Sequence, residues 1–133
     1  QEAKALAKVA SGGELSRIGL AISVLAAQAN PVPTLIFDEA DAGIGGAVAD
    51  VVGALMRRLG ESRQVLCVTH LPQVAAKAHQ HLAVSKQQTE NATVSRIRLL
   101  ERSARVEEIA RMLGGAEITA TTRKHARELL AQA

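Results

Sequence analysis

Two short apolar runs, each closed by chemistry-bearing residues, limit what this chain can fold into. Thr34-Leu35-Ile36-Phe37 is continuous and ends on Asp38-Glu39, and Val65-Leu66-Cys67-Val68 is continuous and ends on Thr69-His70. A continuous apolar run too short for a helix reads as a strand buried on both faces. Between the two, a Gly-rich stretch from Ala42 to Gly46 leads into Val48, Val51, Val52, Leu55, Met56 and Leu59 at helical spacing, with Gly60 as the stop. Strand, helix, strand within this span predicts a right-handed crossover and a parallel sheet, and so an α/β fold with helices flanking parallel strands.

The flanks extend the reading. Residues Gln1 to Ala10 fit helix or extended chain equally. After Ser11-Gly12-Gly13, Leu15, Ile18, Ile22, Leu25, Ala26 and Ala29 fall on one helical face, and the helix should end near Asn30 because Pro31 and Pro33 cannot continue it. Downstream of a turn at His70 and a short helix after Pro72, Leu82 to Lys86 and Thr93 to Leu100 read as two strands joined by the polar loop from Gln87 to Ala92. Two helices close the chain. One uses Val106, Ile109, Ala110 and Leu113 and stops at Gly114-Gly115; the other uses Thr122, Ala126, Leu129 and Leu130.

Bulk properties remove several function classes. A length of 133 residues allows one domain, and an apolar fraction of 47% argues against disorder. Phe37 is the sole aromatic residue, so a grip on single strands by base stacking has no side chains to work with. The net charge of +3 is compatible with phosphate-bearing partners without demanding them. Cys67, alone in the chain, excludes an internal disulfide and fits a reducing compartment, and no apolar stretch is long enough for a membrane span, so the expected location is the cytoplasm. Gln1 in place of an initiating Met, entering an Ala-rich segment without preamble, points to a piece of a longer chain.

Four constellations carry chemistry. Ser11-Gly12-Gly13-Glu14 heads a helix: Ser with Glu three positions later is a capping box, whereas the glycines admit a ligand to the backbone amides of a helix start, where an anion is favoured. Both readings stand. Asp38 and Glu39 lie at the C-terminal end of a strand, where open α/β sheets place ligands. In a magnesium–nucleotide hydrolase one carboxylate would hold Mg²⁺ and the next would orient or deprotonate the attacking water, and the plain alternative is a strand exit into solvent. His70 would emerge on the same sheet edge, able to donate to a terminal phosphate, although a lone His there is more often structural. Asp41, before the glycines at 43, 45 and 46, is a turn former placed close to Glu39. Among lesser features, His79-Gln80-His81 has no Cys or carboxylate beside it to complete a metal site, Cys67 reads as a small buried hydrophobe, and Met56 and Met112 read as core fillers.

The order and spacing of these features resemble the signature motif, Walker B strand, D-loop and switch histidine of an ABC-type ATPase. Ala7-Lys8-Val9-Ala10-Ser11-Gly12-Gly13-Glu14-Leu15-Ser16-Arg17, Val68-Thr69-His70-Leu71-Pro72-Gln73-Val74-Ala75 and Ala110-Arg111-Met112-Leu113-Gly114-Gly115 are similar to the bacterial RecN family within the SMC/ABC ATPases. The resemblance covers nearly the whole chain. It implies that residues 1–133 are the C-terminal lobe of a P-loop ATPase head, with ATP and Mg²⁺ as its ligands. It further implies Asp38 at the magnesium, Glu39 as catalytic base, His70 at the γ-phosphate, and Ser11, Gly12, Gly13 and Glu14 at the ATP of an opposite head, with Asp41 at the seam. The implied partners are the Walker A half of the same protein, a second head and DNA, in double-strand break repair by recombination in the bacterial nucleoid.

No Gly-x-x-x-x-Gly-Lys-Ser/Thr sequence occurs here, so the β- and γ-phosphates lack their main cradle. This predicts that the segment alone neither holds ATP tightly nor hydrolyses it, and that an apolar patch or open sheet edge marks where the other half belongs. Two rival readings remain at this stage. One is a metal-dependent nuclease ligated by Asp38, Glu39, Asp41 and His70. The other is a non-catalytic dimerisation or DNA-binding module using Arg17, Arg57, Arg58, Arg96, Arg98 and Arg123, of which Arg57 and Arg58 read as plain helix exterior and Arg96 and Arg98 share a strand face.

Overall fold

The computed structural model describes residues 25–26, 28–29, 32–38 and 43–133. The first of these are helical and exposed, so Leu25, Ala26 and Ala29, expected on a buried face, are open to solvent, with Leu25 64% exposed. Strand β1 (Thr34–Asp38) pairs in parallel with β2 (Gln64–Val68), in register from Thr34 opposite Gln64 to Asp38 opposite Val68. The connection is helix α1 (Gly46–Leu59), which makes the expected β-α-β unit.

One face of this sheet is covered and one is not. Leu35, Phe37, Val65 and Cys67 pack with Val52, Met56 and Leu59 of α1, together with Ile44 and Val74, in a first core. The alternate positions point the other way: Ile36 is 71% exposed and Val68 60%. The expectation of strands buried on both faces is therefore corrected, because no described element lies over the second face. Period two along a strand puts Asp38 on that open face with Ile36.

Helix α1 also buries a different stripe from the one its large residues mark. Ala49, Val52, Gly53, Met56 and Leu59 are inside, while Val48 and Val51 are exposed. The reason is close approach to α2 (Pro72–Lys77): a Cβ on Gly53 would lie 2.9 Å from Lys77 Cγ and 3.2 Å from the Gln73 carbonyl oxygen. At Gly53 the absence of a side chain lets the backbones meet, and Val48 and Val51 are left outside. Gly60 does end α1, but in right-handed geometry (φ −67°), its N–H donating to the Met56 carbonyl at 3.0 Å.

Beyond α2, β3 (Leu82–Thr89) and β4 (Ala92–Leu99) form an antiparallel hairpin. The expected polar loop from 87 to 92 is instead mostly ladder, with a turn of two residues, Glu90 and Asn91, tightened by the Thr89 hydroxyl donating to the Ala92 carbonyl at 2.9 Å. Leu82, Val84, Ile97 and Leu99 share one exposed face, since Leu82 faces Leu99 and Val84 faces Ile97. Arg96 and Arg98 lie together on the opposite face, as spacing predicts.

Helices α3 (Arg102–Gly114) and α4 (Ala120–Ala131) build the second core, with Ile109, Ala110 and Ala126 buried and Val106, Leu113, Leu129 and Leu130 packed around them. Gly115 stops α3 at φ +70°, a conformation that costs glycine little. Thr119 caps α4 through a reciprocal box with Thr122. Helix α2 belongs to both cores: Val74 lies in the first, Ala75 and Ala76 in the second.

Candidate functional site

The candidate site is built at the C-terminal ends of β1 and β2. Asp38 is the last residue of β1 and is exposed. Its register partner Val68 precedes Thr69 and His70, and His70 is exposed too. Parallel pairing thus brings the Asp38 and His70 segments out on one edge, as the sequence predicts. Ser11, Gly12, Gly13, Glu14, Glu39 and Asp41 lie outside the described residues, so the geometry speaks for two of the candidates.

His70 stands in a fixed turn. The Leu71 N–H donates to the Thr69 hydroxyl at 3.0 Å, and the Ala75 N–H donates to the Leu71 carbonyl at 3.0 Å as α2 begins. Leu71 packs against the first core, and Pro72 occupies the first turn of α2, where its missing N–H costs nothing. The histidine is therefore held from both sides while its ring stays accessible.

The far end of α2 is gathered by cations. The Arg105 guanidinium, at Nη2, donates to the carbonyls of Ala75 (3.1 Å), Ala76 (3.2 Å) and Ala78 (2.5 Å). Arg57 donates to the Lys77 carbonyl at 2.7 Å, and Lys77 donates from Nζ to the Gln132 carbonyl at 2.8 Å. Helix C-termini leave carbonyls without partners and favour positive charge, which explains both arginines. Arg57 is thus not plain helix exterior. Arg105 was missed by the sequence reading although its spacing gave a signal: it lies four residues before buried Ile109, on the inward face of α3.

His81 is half-buried beside Arg105 and Glu108, and its Nδ1 has no partner among the described residues. Burial first, then the Arg105 charge, lowers its pKa, against an opposing pull from Glu108. Glu108 is itself lowered mainly by its hydrogen bond from Arg111. Arg123, once a candidate for phosphate contact, donates to Glu107 at 2.7 Å across the α3–α4 pair.

Among the described residues no group of three or more His, Cys, Asp or Glu side chains could hold a metal ion. The donor set that is described, one carboxylate at a strand end, suits Mg²⁺, which keeps its waters and takes one or two carboxylates plus substrate phosphates. No helix of the described residues is long and apolar enough to cross a membrane.

No family model matches the chain. The DNA repair protein RecN of Xylella fastidiosa (strain Temecula1) is 58% identical over 98% of this chain, and that of Vibrio cholerae is 55% identical over 98%. The RecN of Bacillus subtilis, a more distant bacterium, still matches at 46% over 98%. Nearly the whole chain is thus similar to one segment of RecN. It spans 23% of the length of the Xylella relative, so most of a RecN lies beyond what it covers. The fold agrees. A structure solved in work on ATP-driven dimerization and DNA-stimulated activation of SMC ATPases superposes with a TM-score of 0.69 at 21% identity, covering 88% of this chain and 70% of that one. The Smc head domain with coiled coil and joint of Pyrococcus yayanosii gives 0.64 at 26% identity, covering 76% of this chain and 19% of that one. The chain has the α/β fold of an SMC-type ATPase head.

Proposed function

We propose that this RecN segment is the lobe of an ATPase head that supplies the magnesium carboxylate, the catalytic base and the γ-phosphate histidine, and that the complete protein hydrolyses ATP in recombinational repair of DNA breaks. The observation that carries the reading is the emergence of Asp38 and the His70 turn on one edge of a parallel pair, in a chain similar to RecN. Bound Mg²⁺ would neutralise charge on the β- and γ-phosphates. Asp38, at the strand end, would hold it. Glu39, the next residue, orients and deprotonates the attacking water. His70 donates a hydrogen bond to the γ-phosphate, and that bond is lost when the phosphate leaves.

The remaining residues belong to assembly. Ser11, Gly12, Gly13 and Glu14 would face ATP held by an opposite head, with free amides at a helix start meeting phosphate. Asp41 lies at the seam between heads. The Walker A half of the same protein supplies the phosphate loop absent here, and DNA is the object on which engaged heads act, in the bacterial cytoplasm at the nucleoid.

The test is ATP turnover by the full-length protein containing this chain, wild type against Glu39→Gln. Loss of a positioned general base should lower turnover about 10²–10⁴-fold while ATP still binds and holds two heads together. Unchanged turnover would overturn the assignment.

A further inference from the structure

We infer that Arg105, assisted by Arg57, is a positioning residue for His70: two guanidiniums clamp the C-terminal carbonyls of α2, and α2 fixes the turn that carries the histidine. The inference rests on the reading of His70 as the γ-phosphate contact. Its argument is one of connectivity. The Ala75 peptide accepts from Arg105 at its carbonyl (3.1 Å), and the Ala75 N–H donates to the Leu71 carbonyl (3.0 Å). The Leu71 N–H in turn donates to the Thr69 hydroxyl (3.0 Å), and that last link spans His70.

Helix α2 has six residues, too few to hold its own shape in water, so its position is set from outside. Three neighbours set it. Helix α1 meets it backbone to backbone at Gly53 and donates through Arg57 to the Lys77 carbonyl. Helix α3 reaches it through Arg105, and α4 accepts from Lys77 at the Gln132 carbonyl. Among these ties Arg105 alone reaches three carbonyls, all of them through Nη2, with a group that stays charged at every physiological pH. The side chain is partly buried, and its Nε–H has no partner among the described residues. Its placement therefore serves the carbonyls rather than a compact salt bridge. The α3–α4 pair, remote from the sheet edge in sequence, thereby acts on the one exposed histidine of the site.

The experiment is a mutant cycle in the full-length protein, reading kcat and KM for ATP in Arg105→Gln, Arg105→Lys, His70→Ala and the Arg105→Gln/His70→Ala double variant. Misplacing a reacting group by a fraction of an ångström to an ångström costs up to about 100-fold in rate. Arg105→Gln should accordingly lower kcat by about 10- to 100-fold. KM should change little, and Arg105→Lys should fall between Gln and wild type because it keeps a charged donor but not the planar group that holds Nη2 among the three carbonyls. In the His70→Ala background Arg105→Gln should add almost nothing, since the two act as a unit. Equal losses on both backgrounds, or none on either, would overturn the positioning role while leaving His70 in place. Turnover unaffected by His70→Ala would overturn the functional reading and this inference together. If Arg105→Gln does not fold, Arg57→Gln, which removes a single bond to the Lys77 carbonyl, runs the same cycle with the same two outcomes.

Discussion

His81 is a ring whose protonation the fold resists. Burial and the neighbouring Arg105 lower its pKa, so the unfolded chain takes up the proton first as pH falls. The stability tied to this group is complete above the ordinary histidine value, about 6.5. It drops as pH falls through that value towards the lower folded one, and no further beyond it. Denaturant midpoints measured across that window should fall with acid in the wild type and flatten in His81→Asn. At this scale the sequence was a good guide to where Asp38 and His70 stand, because an apolar strand ends abruptly and its first polar residues name themselves. It was a poor guide to Arg57 and Arg105. A guanidinium on a helix reads as solvated by default, and only the carbonyls of another element, invisible in the chain, turn it inward.

Between α3 and α4 the decisive contact is Ile109, fully buried against Ala110 and Ala126. Ile109→Ala should cost about 2–5 kcal/mol, from lost transfer free energy plus the cavity left behind, measured by urea denaturation. A smaller loss would mean that the helices collapse onto the gap. These two helices were legible because their apolar residues recur at helical spacing and Gly114-Gly115 stops the first. Helix α1 was legible in extent and in most of its face, Val52, Met56 and Leu59 being buried as expected, whereas Val48 and Val51 are exposed and Gly53 is buried where α2 approaches. The hairpin was underestimated for a related reason. Its last rungs carry polar side chains, and the ladder is made by backbone groups that no hydropathy pattern reports.

On the scale of the molecule, two apolar sheet faces have no cover among the described residues: Ile36, Leu66 and Val68 on one, Leu82, Val84, Ile97 and Leu99 on the other. An open apolar patch is therefore present among the described residues. A chain produced by itself should bind a hydrophobic dye and self-associate, and adding the upstream half of the protein should suppress both; a dye-silent monomer would contradict this. The same isolated chain should show no micromolar ATP binding in an equilibrium titration. A continuous apolar run describes burial in a complete protein, and the described residues cover one side of this sheet. That is why the β1 and β2 sequences promised more cover than these residues supply.

The tight turn at Glu90 and Asn91 has a consequence in time. Joining β3 to β4 through two residues makes every rung of that ladder local, and hairpins of this kind close in about 1–10 μs. The parallel pair must first wait for an intervening helix, a slower event by its topology. The hairpin is therefore finished early and displays Leu82, Val84, Ile97 and Leu99 throughout the interval. For that interval the exposed apolar face makes the folding chain prone to aggregate.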